Sequence, residues 1–414
     1  MAGAWDSGDP SGDAPLELAA TREAVAAVFR EEAGRLVASV TRLLGDFDAA
    51  EEVVQEALLA AWRQWPVEGV PDRPGAWLWT VARRRAVDLV RRDVRLREKL
   101  AGLAWPVERG GEDDRLSLIF TCCHPALSRP AQVALTLRTV CGLSTAEIAS
   151  AFLVSEAAVV QRLTRARRKI ADAGIPYRVP GEDELAERLS AVLAVIYLLF
   201  NEGYLSSTGG VPQRRDLSDD AEWLAALLAR LMPTEPEVLG LLALIRLHRA
   251  RAAARFDDGG RLVLLRDQDR DRWERAAIAA ASDLIVRAAR RRRPGPYQLQ
   301  AAIVACHAEA PSWAETDWPQ ILLLYDALLV VQPSPVVRLH RAVALGEVFG
   351  PRAAIDEVTR LAGALDGYHL YHATLAQLLR DLGRPGEARE ADLRALALTG
   401  NPAEQALLAE RLLP

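Results

Sequence analysis

Lysine is almost missing from this 414-residue chain: it occurs only at Lys99 and Lys169, and arginine supplies the rest of the 51 basic residues. With abundant alanine, that bias reports a GC-rich coding sequence rather than a mechanism. Cysteine is also scarce. Of the four, Cys122 and Cys123 are adjacent, while Cys141 and Cys306 stand alone. That pattern excludes a disulfide framework. No CxxC or second ligand pair accompanies Cys122-Cys123-His124, so buried structural thiols are expected there rather than zinc. The longest apolar run, Leu189 to Phe200, is broken by Ser190 and falls short of the roughly 20 residues that a spanning helix needs. Met1 to Ala14 is small, acidic and rich in Pro and Gly, without the basic-then-apolar order of a secretory signal. A soluble cytoplasmic protein with no membrane partner is expected. No Ser/His/Asp array, P-loop or metal quartet appears, so no enzymatic activity, cofactor or metal is expected. The net charge is −5, so any nucleic-acid surface must be local.

What is present is helical. Half of the residues are hydrophobic and about a quarter are charged, which is ordinary globular composition for two to four domains. Strand signals are few, and Ala, Leu, Arg and Glu recur with helical period, so the expected fold class is all-α. The expected order is a flexible tail (1–20), a helical domain (21–100), a Gly-rich acidic linker (101–114), a second small helical domain (115–176) and a large helical half. That half divides into an extension (182–333) and a run of helical hairpins (334–414). In the last part Ala354 and Ala388 are 34 residues apart, and Gly350 and Gly383 are 33 apart. This is the tetratricopeptide period, with generic hairpins as the alternative.

Two stretches suit DNA. In the first, Ser144-Thr145-Ala146-Glu147 fits a capping box. Val154-Ser155 makes a turn, and Ser155 can cap the next helix. Val159, Leu163, Ala166 and Ile170 then form one buried stripe. Val159 to Asp172 holds five basic groups and one acid. This predicts a helix-turn-helix whose second helix fits a major groove. Glu156, Ala157, Val160 and Gln161 would face base edges, and Arg162, Arg165, Arg167, Arg168 and Lys169 would mostly hold phosphates. An ordinary hairpin with a solvated arginine face is the alternative. The second stretch, Arg73 to Lys99, carries nine basic residues and three acids behind Trp77 and Trp79. Cations beside aromatics suit a melted strand, because phosphates need neutralising and exposed bases need new stacking partners. The alternative places the tryptophans in the core.

These residues resemble a known family. Asp48 to Trp62 resembles region 2.2 of bacterial sigma factors of the extracytoplasmic-function (ECF) type, Ala76 to Arg92 resembles regions 2.3 and 2.4, and Gly142 to Ala166 resembles region 4.2. The two halves come in family order and cover about residues 21 to 176. Cys122-Cys123-His124-Pro125 and the long extension are similar to a subgroup carrying a fused tetratricopeptide-like domain. The resemblance implies a sigma factor with core RNA polymerase and promoter DNA as partners, and hence nucleoid association. Asp48, Glu51, Glu52, Gln55 and Glu56 then match the helix that docks on the polymerase. Trp77, with Pro66 to Pro74, matches the reader of the melted −10 strand. Arg83, Arg84, Arg85, Arg91 and Arg92 lie on the DNA side of that helix. Gln161, Arg162 and Arg165 match the −35 reader. Arginine stands at 83 to 85 where many relatives carry asparagine, and Val160 stands where a polar residue is common. A promoter spacer of about 16 base pairs spans roughly 55 Å. The 14-residue linker stretches to about 50 Å, so both elements are reachable once the domain bodies are added.

In the C-terminal half, Asp258-Gly259-Gly260-Arg261 is turn chemistry and is expected to contact the sigma core or the polymerase, with a plain turn as the alternative. Asp267-Gln268-Asp269-Arg270-Asp271 mimics an EF-hand start, but Arg272 replaces the bending glycine and Ile278 the bidentate glutamate. The hairpin groove is expected to bind a protein partner. A conventional helix-turn-helix regulator with a sensor domain and a tetratricopeptide scaffold with incidental basic helices are the competing functions.

Overall fold

A computed structural model of the chain describes residues 32, 34–92, 112–152, 154–204 and 215–413. Every regular element among them is helical, and one isolated antiparallel bridge joins Phe256 to Leu262. The all-α expectation holds. The expected tail (1–20) and residues 101–111 of the expected linker lie outside the described residues. The chain forms two compact units, Met1–Val195 and Ile196–Pro414.

The first unit contains α1 (34–44), α2 (Phe47–Glu68), α3 (Pro74–Arg92), α4 (Glu112–Cys122), α5 (Arg129–Thr139), α6 (Thr145–Phe152), α7 (Glu156–Asp172) and the first part of α8 (Glu182–Tyr204). Asp46 starts α2 by accepting the backbone N–H groups of Asp48 and Ala49 at 2.9 and 3.1 Å. The buried face of α2 is Ala50, Val53, Val54, Ala57, Ala61 and Trp65. It packs on α3, where Leu78, Ala82, Ala86 and Val90 are buried while Val81 and Leu89 are half-buried. Burying one such leucine stabilises the fold by about 2 kcal/mol.

Three boundaries differ from the sequence reading. Helix α2 continues through Pro66 to Glu68, so the Pro66 to Pro74 stretch matched to the −10 reader begins inside a helix. Trp65 is buried and anchors the helix end. Gly69, at φ 85°, closes it by donating its N–H to the Trp65 carbonyl at 2.9 Å. Helix α4 starts at Glu112, inside the stretch read as linker. Its buried Asp114 accepts from Ser39 Oγ at 3.3 Å and faces Arg42 Nε at 2.9 Å. Residues 182–195, expected in the extension, fold with the first unit. There Arg188 donates to the Phe120 carbonyl at 2.7 Å, and Arg129 to the Ala191 carbonyl at 2.9 Å.

The second unit contains the end of α8, then α9 (Arg215–Leu231), α10 (Pro236–Arg249), α11 (Arg275–Ala289), α12 (Pro296–Glu309), α13 (Trp318–Val331), α14 (Pro335–Phe349), α15 (Pro351–Thr359), α16 (Ala362–Leu365), α17 (His369–Asp381), α18 (Pro385–Leu398) and α19 (Pro402–Arg411). Helix α10 is buried on almost every side, between α9, α11 and α12. A Cβ on its Gly240 would lie 2.7 Å from the backbone nitrogen of Gln298, so the glycine lets α12 come close. The 34-residue spacing has a structural counterpart. Gly350 and Gly383 take positive φ at the turns of α14–α15 and α17–α18, and Ala354 and Ala388 are buried just after them.

Candidate nucleic-acid interface

Helices α6 and α7 form the expected helix-turn-helix. The capping box closes reciprocally: the Ser144 N–H donates to Glu147 at 2.7 Å, and the Glu147 N–H donates to Ser144 Oγ at 3.1 Å. Ser155 caps α7 by accepting the Ala158 N–H at 3.2 Å. Val159, Leu163, Ala166 and Ile170 are the buried residues of α7, as its stripe predicts. This leaves Gln161, Arg165 and Lys169 exposed and Arg162 half-buried. All four line one groove of about 470 Å³, bounded on its other side by Leu127, Ser128 and Pro130. Arg168 lies outside the groove and sits 3.4 Å from Asp172, one turn away. Among the residues expected at base edges, Glu156, Ala157 and Val160 are exposed.

On α3, Arg83, Arg84, Arg85 and Arg91 are exposed, and the side chain of Arg92 lies outside the described residues. Arg85 is 3.3 Å from Glu56, a solvent-facing pair of small energetic weight. Trp77 is half-buried and meets the buried Trp65 edge-on, with ring centroids 5.5 Å apart. Trp79, the second aromatic of this stretch, lines a cavity of about 470 Å³ with Arg35, Ser39, Arg73, Gly75 and Thr80. A Cβ on Gly75 would come within 2.7 Å of the Glu32 carboxylate, so that flexible side chain would have to move aside.

On α2, Asp48, Glu52, Gln55 and Glu56 face solvent. Glu51 does not: its side chain is 12% exposed, and Arg138 and Arg167 both hold it. Leu59 and Trp62 continue the exposed strip at helical spacing from Gln55, and they are exposed at 54% and 43%. The sequence reading missed them. Their signal was that both fall outside the Ala50/Val53/Val54/Ala57/Ala61 stripe.

Cys122 and Cys123 are buried, and Cys123 Sγ is 3.4 Å from Thr136 Oγ1. Burial pushes the Cys123 thiol up to about 11 and raises Cys122 as well, so both remain protonated. Burial and the nearby Arg188 lower His124, whose Nδ1 accepts the Ala126 N–H in the following turn.

In the second unit, Asp258, Gly259, Gly260 and Arg261 are all exposed. The residue that organises this turn is Asp257. Its Oδ1 accepts from the N–H groups of Gly259 and Arg261 at 3.0 and 2.8 Å, and its Oδ2 accepts from Arg261 Nε at 2.7 Å. Gly260, at φ 76°, needs the freedom of glycine. Among the described residues no His, Cys, Asp and Glu group could hold a metal, and no helix is long and apolar enough to cross a membrane.

Comparison with known proteins agrees with this geometry. The Sigma-70 region 2 family matches residues 28–96 and the Sigma-70 region 4 family matches residues 117–170. A family of unknown function (DUF6596) matches residues 188–289. The chain is 47% identical to the uncharacterized protein R00370 of Rhizobium meliloti, over 90% of this chain and 92% of that protein. It is 35% identical to the ECF RNA polymerase sigma factor SigL of Mycobacterium tuberculosis, over 39% of this chain and 92% of SigL. The probable ECF sigma factor SigI of the same species is 30% identical, over 40% of this chain and 60% of SigI. With both sigma regions in order, and nearly the whole of SigL covered, the chain belongs to the ECF RNA polymerase sigma factors.

Proposed function

We propose that this sigma factor docks on core RNA polymerase through α2, holds melted −10 DNA against α3, and grips the duplex −35 element with α7. The observation that carries this reading is the groove beside α7, where Gln161, Arg162, Arg165 and Lys169 converge in the same unit as the acidic outer strip of α2. A basic groove suits phosphates, and an acidic strip suits a basic protein partner. Asp48, Glu51, Glu52, Gln55 and Glu56 supply the docking charge, with Leu59 and Trp62 as its apolar continuation. A flipped base costs a few kcal/mol, which a pocket must return. The cavity beside Trp79 and Arg73 offers an aromatic wall and a cation for that task, and Arg83, Arg84 and Arg91 track the backbone.

The second unit regulates the first through contact with the sigma core or the polymerase, and it acts only as far as it binds competent and incompetent states unequally. The Asp258–Arg261 turn is the proposed contact, and the tetratricopeptide-like hairpins are the proposed seat of a protein partner. The working place is the cytoplasm, at the nucleoid.

The test mixes the chain with core polymerase and a promoter library. Transcripts starting only when both proteins are present support the reading. Duplex binding without initiation indicates a conventional regulator, and neither result indicates a scaffold. Deletion of the second unit is best begun at Ile196, because residues before it pack with the first unit.

A further inference from the structure

The region 2 and region 4 helices touch inside the first unit, and part of the contact is polar. Arg138 Nε donates to Glu51 Oε1 at 2.8 Å, and Arg167 Nη2 donates to Glu51 Oε2. Arg167 Nε is also 3.3 Å from Asp48 Oδ1. Beside this group, Arg42 and Ser39 of α1 meet the buried Asp114 of α4. The Tyr177 hydroxyl lies 2.9 Å from the carbonyl oxygens of Ala38 and Asp114, and its ring meets Phe47 edge-on. At the far end Gly34 lets α1 close onto region 4, since a Cβ there would sit 2.6 Å from the Val140 carbonyl oxygen.

Two physical consequences follow. Glu51 and Asp48 belong to the strip proposed to dock on the polymerase, and here two guanidiniums of the same chain hold them. Region 2 and region 4 are also in contact, whereas −10 and −35 elements lie roughly 55 Å apart. The arrangement therefore cannot engage both promoter elements at once.

We propose that this contact is an intramolecular latch, in which Arg138 and Arg167 occupy the docking acids in place of a basic surface of the polymerase. The proposal rests on the reading of α2 as the docking helix. Relative motion between two domains of one chain is the default expectation unless their interface is large and hydrophobic. Guanidinium–carboxylate bonds of this kind are directional but exchangeable for equivalent bonds to another basic group. The polymerase competes for Glu51 and Asp48, and binding it frees region 4 to reach its own element. Core affinity is lowered by the fraction of chains that are latched.

The test compares core-polymerase affinity of the full chain with that of Arg138→Ala/Arg167→Ala and of Gly34→Ala. The second variant opens the latch sterically and keeps every charge, and alanine is favourable in a helix. Glu52→Lys, on the strip but outside the latch, is made in each background. Hydrogen exchange of residues 34–44 reads opening directly, and circular dichroism confirms folding. The latch predicts faster exchange and about fivefold tighter core binding in both opened variants, with Glu52→Lys weakening binding in every background. If the opened variants bind no tighter while Glu52→Lys still weakens binding, α2 docks but the latch is wrong. If Glu52→Lys changes nothing in any background, the docking reading fails and the latch falls with it.

Discussion

Gly346 and Ala354 face each other across the α14–α15 hairpin so closely that a Cβ on the glycine would lie 3.1 Å from the Cβ of the alanine. Ala354 is fully buried, and its neighbours Leu339, Ala342, Val358 and Leu378 belong to the same apolar cluster. There is no space for a larger side chain. Ala354→Leu should therefore destabilise the second unit by about 1–3 kcal/mol through overpacking. Urea unfolding of the full chain, followed by helicity, measures this. An unchanged midpoint would show that the hairpin can spread.

The Asp258–Arg261 turn depends on Asp257. Hydrogen bonds from the Arg261 backbone and side chain hold its carboxyl below the usual carboxylate range. A depressed folded value means that the contribution is present above the unfolded value and is lost as pH falls through the folded one. Protection of the Arg261 amide should then fade below about pH 4, where free aspartate begins to protonate. Asp257→Ala should remove that protection at neutral pH, whereas Asp258→Ala should leave it. Amide exchange followed by NMR distinguishes the two. If the turn is the regulatory contact, run-off output changes with Asp257→Ala and Arg261→Ala together.

Arg162→Ala with Arg165→Ala should weaken −35 binding. Both side chains line the α7 groove, and if both contact phosphate the loss should be similar across sequences. The slope of log affinity against log salt should shrink by about one per arginine. Affinity titrations at several salt concentrations, on matched and scrambled −35 duplexes, are the measurement. A loss confined to the matched duplex would instead assign these arginines to base edges.

His307 makes the second unit sensitive to mild acid. Burial, with Arg251 and Arg270 nearby, pushes it down to about 4. The unfolded chain binds a proton near 6.5, so stability is intact above that value and declines as pH falls toward 4. The loss from this one group is on the order of 3 kcal/mol at the low end. Thermal unfolding of the full chain between pH 7 and 4 should show the decline, and His307→Gln should make it shallower, while the buried His248 and His340, also held low, keep part of it. Equal slopes in both proteins would mean that other groups set the acid sensitivity.

Local order was legible from residue patterns wherever a helix could be read from its own spacing. The capping box, the Ser155 cap and the four-residue stripe of α7 all depend on neighbours within a few turns, and each stands as the sequence predicts. The same holds for the glycine turns and buried alanines of α14–α15 and α17–α18. The sign and position of the acidic and basic surfaces were also legible, because charge is a property of composition along one face.

Contacts between distant segments were not legible. Glu51 reads as one of five equivalent acids on α2, yet it alone is enclosed, by arginines 87 and 116 residues away in the sequence. Asp114 reads as linker and is buried, because Ser39 and Arg42 happen to meet it. Trp77 and Trp79 look interchangeable, but Trp77 turns onto Trp65 and Trp79 lines the cavity. The amino-acid sequence by itself determined which helices form and which faces are apolar, acidic or basic, since those follow from local spacing and side-chain chemistry. Only the tertiary structure decided which charges are shared between region 2 and region 4. A side chain's partner depends on where the backbone brings residues far apart in the chain, and local periodicity carries no record of that.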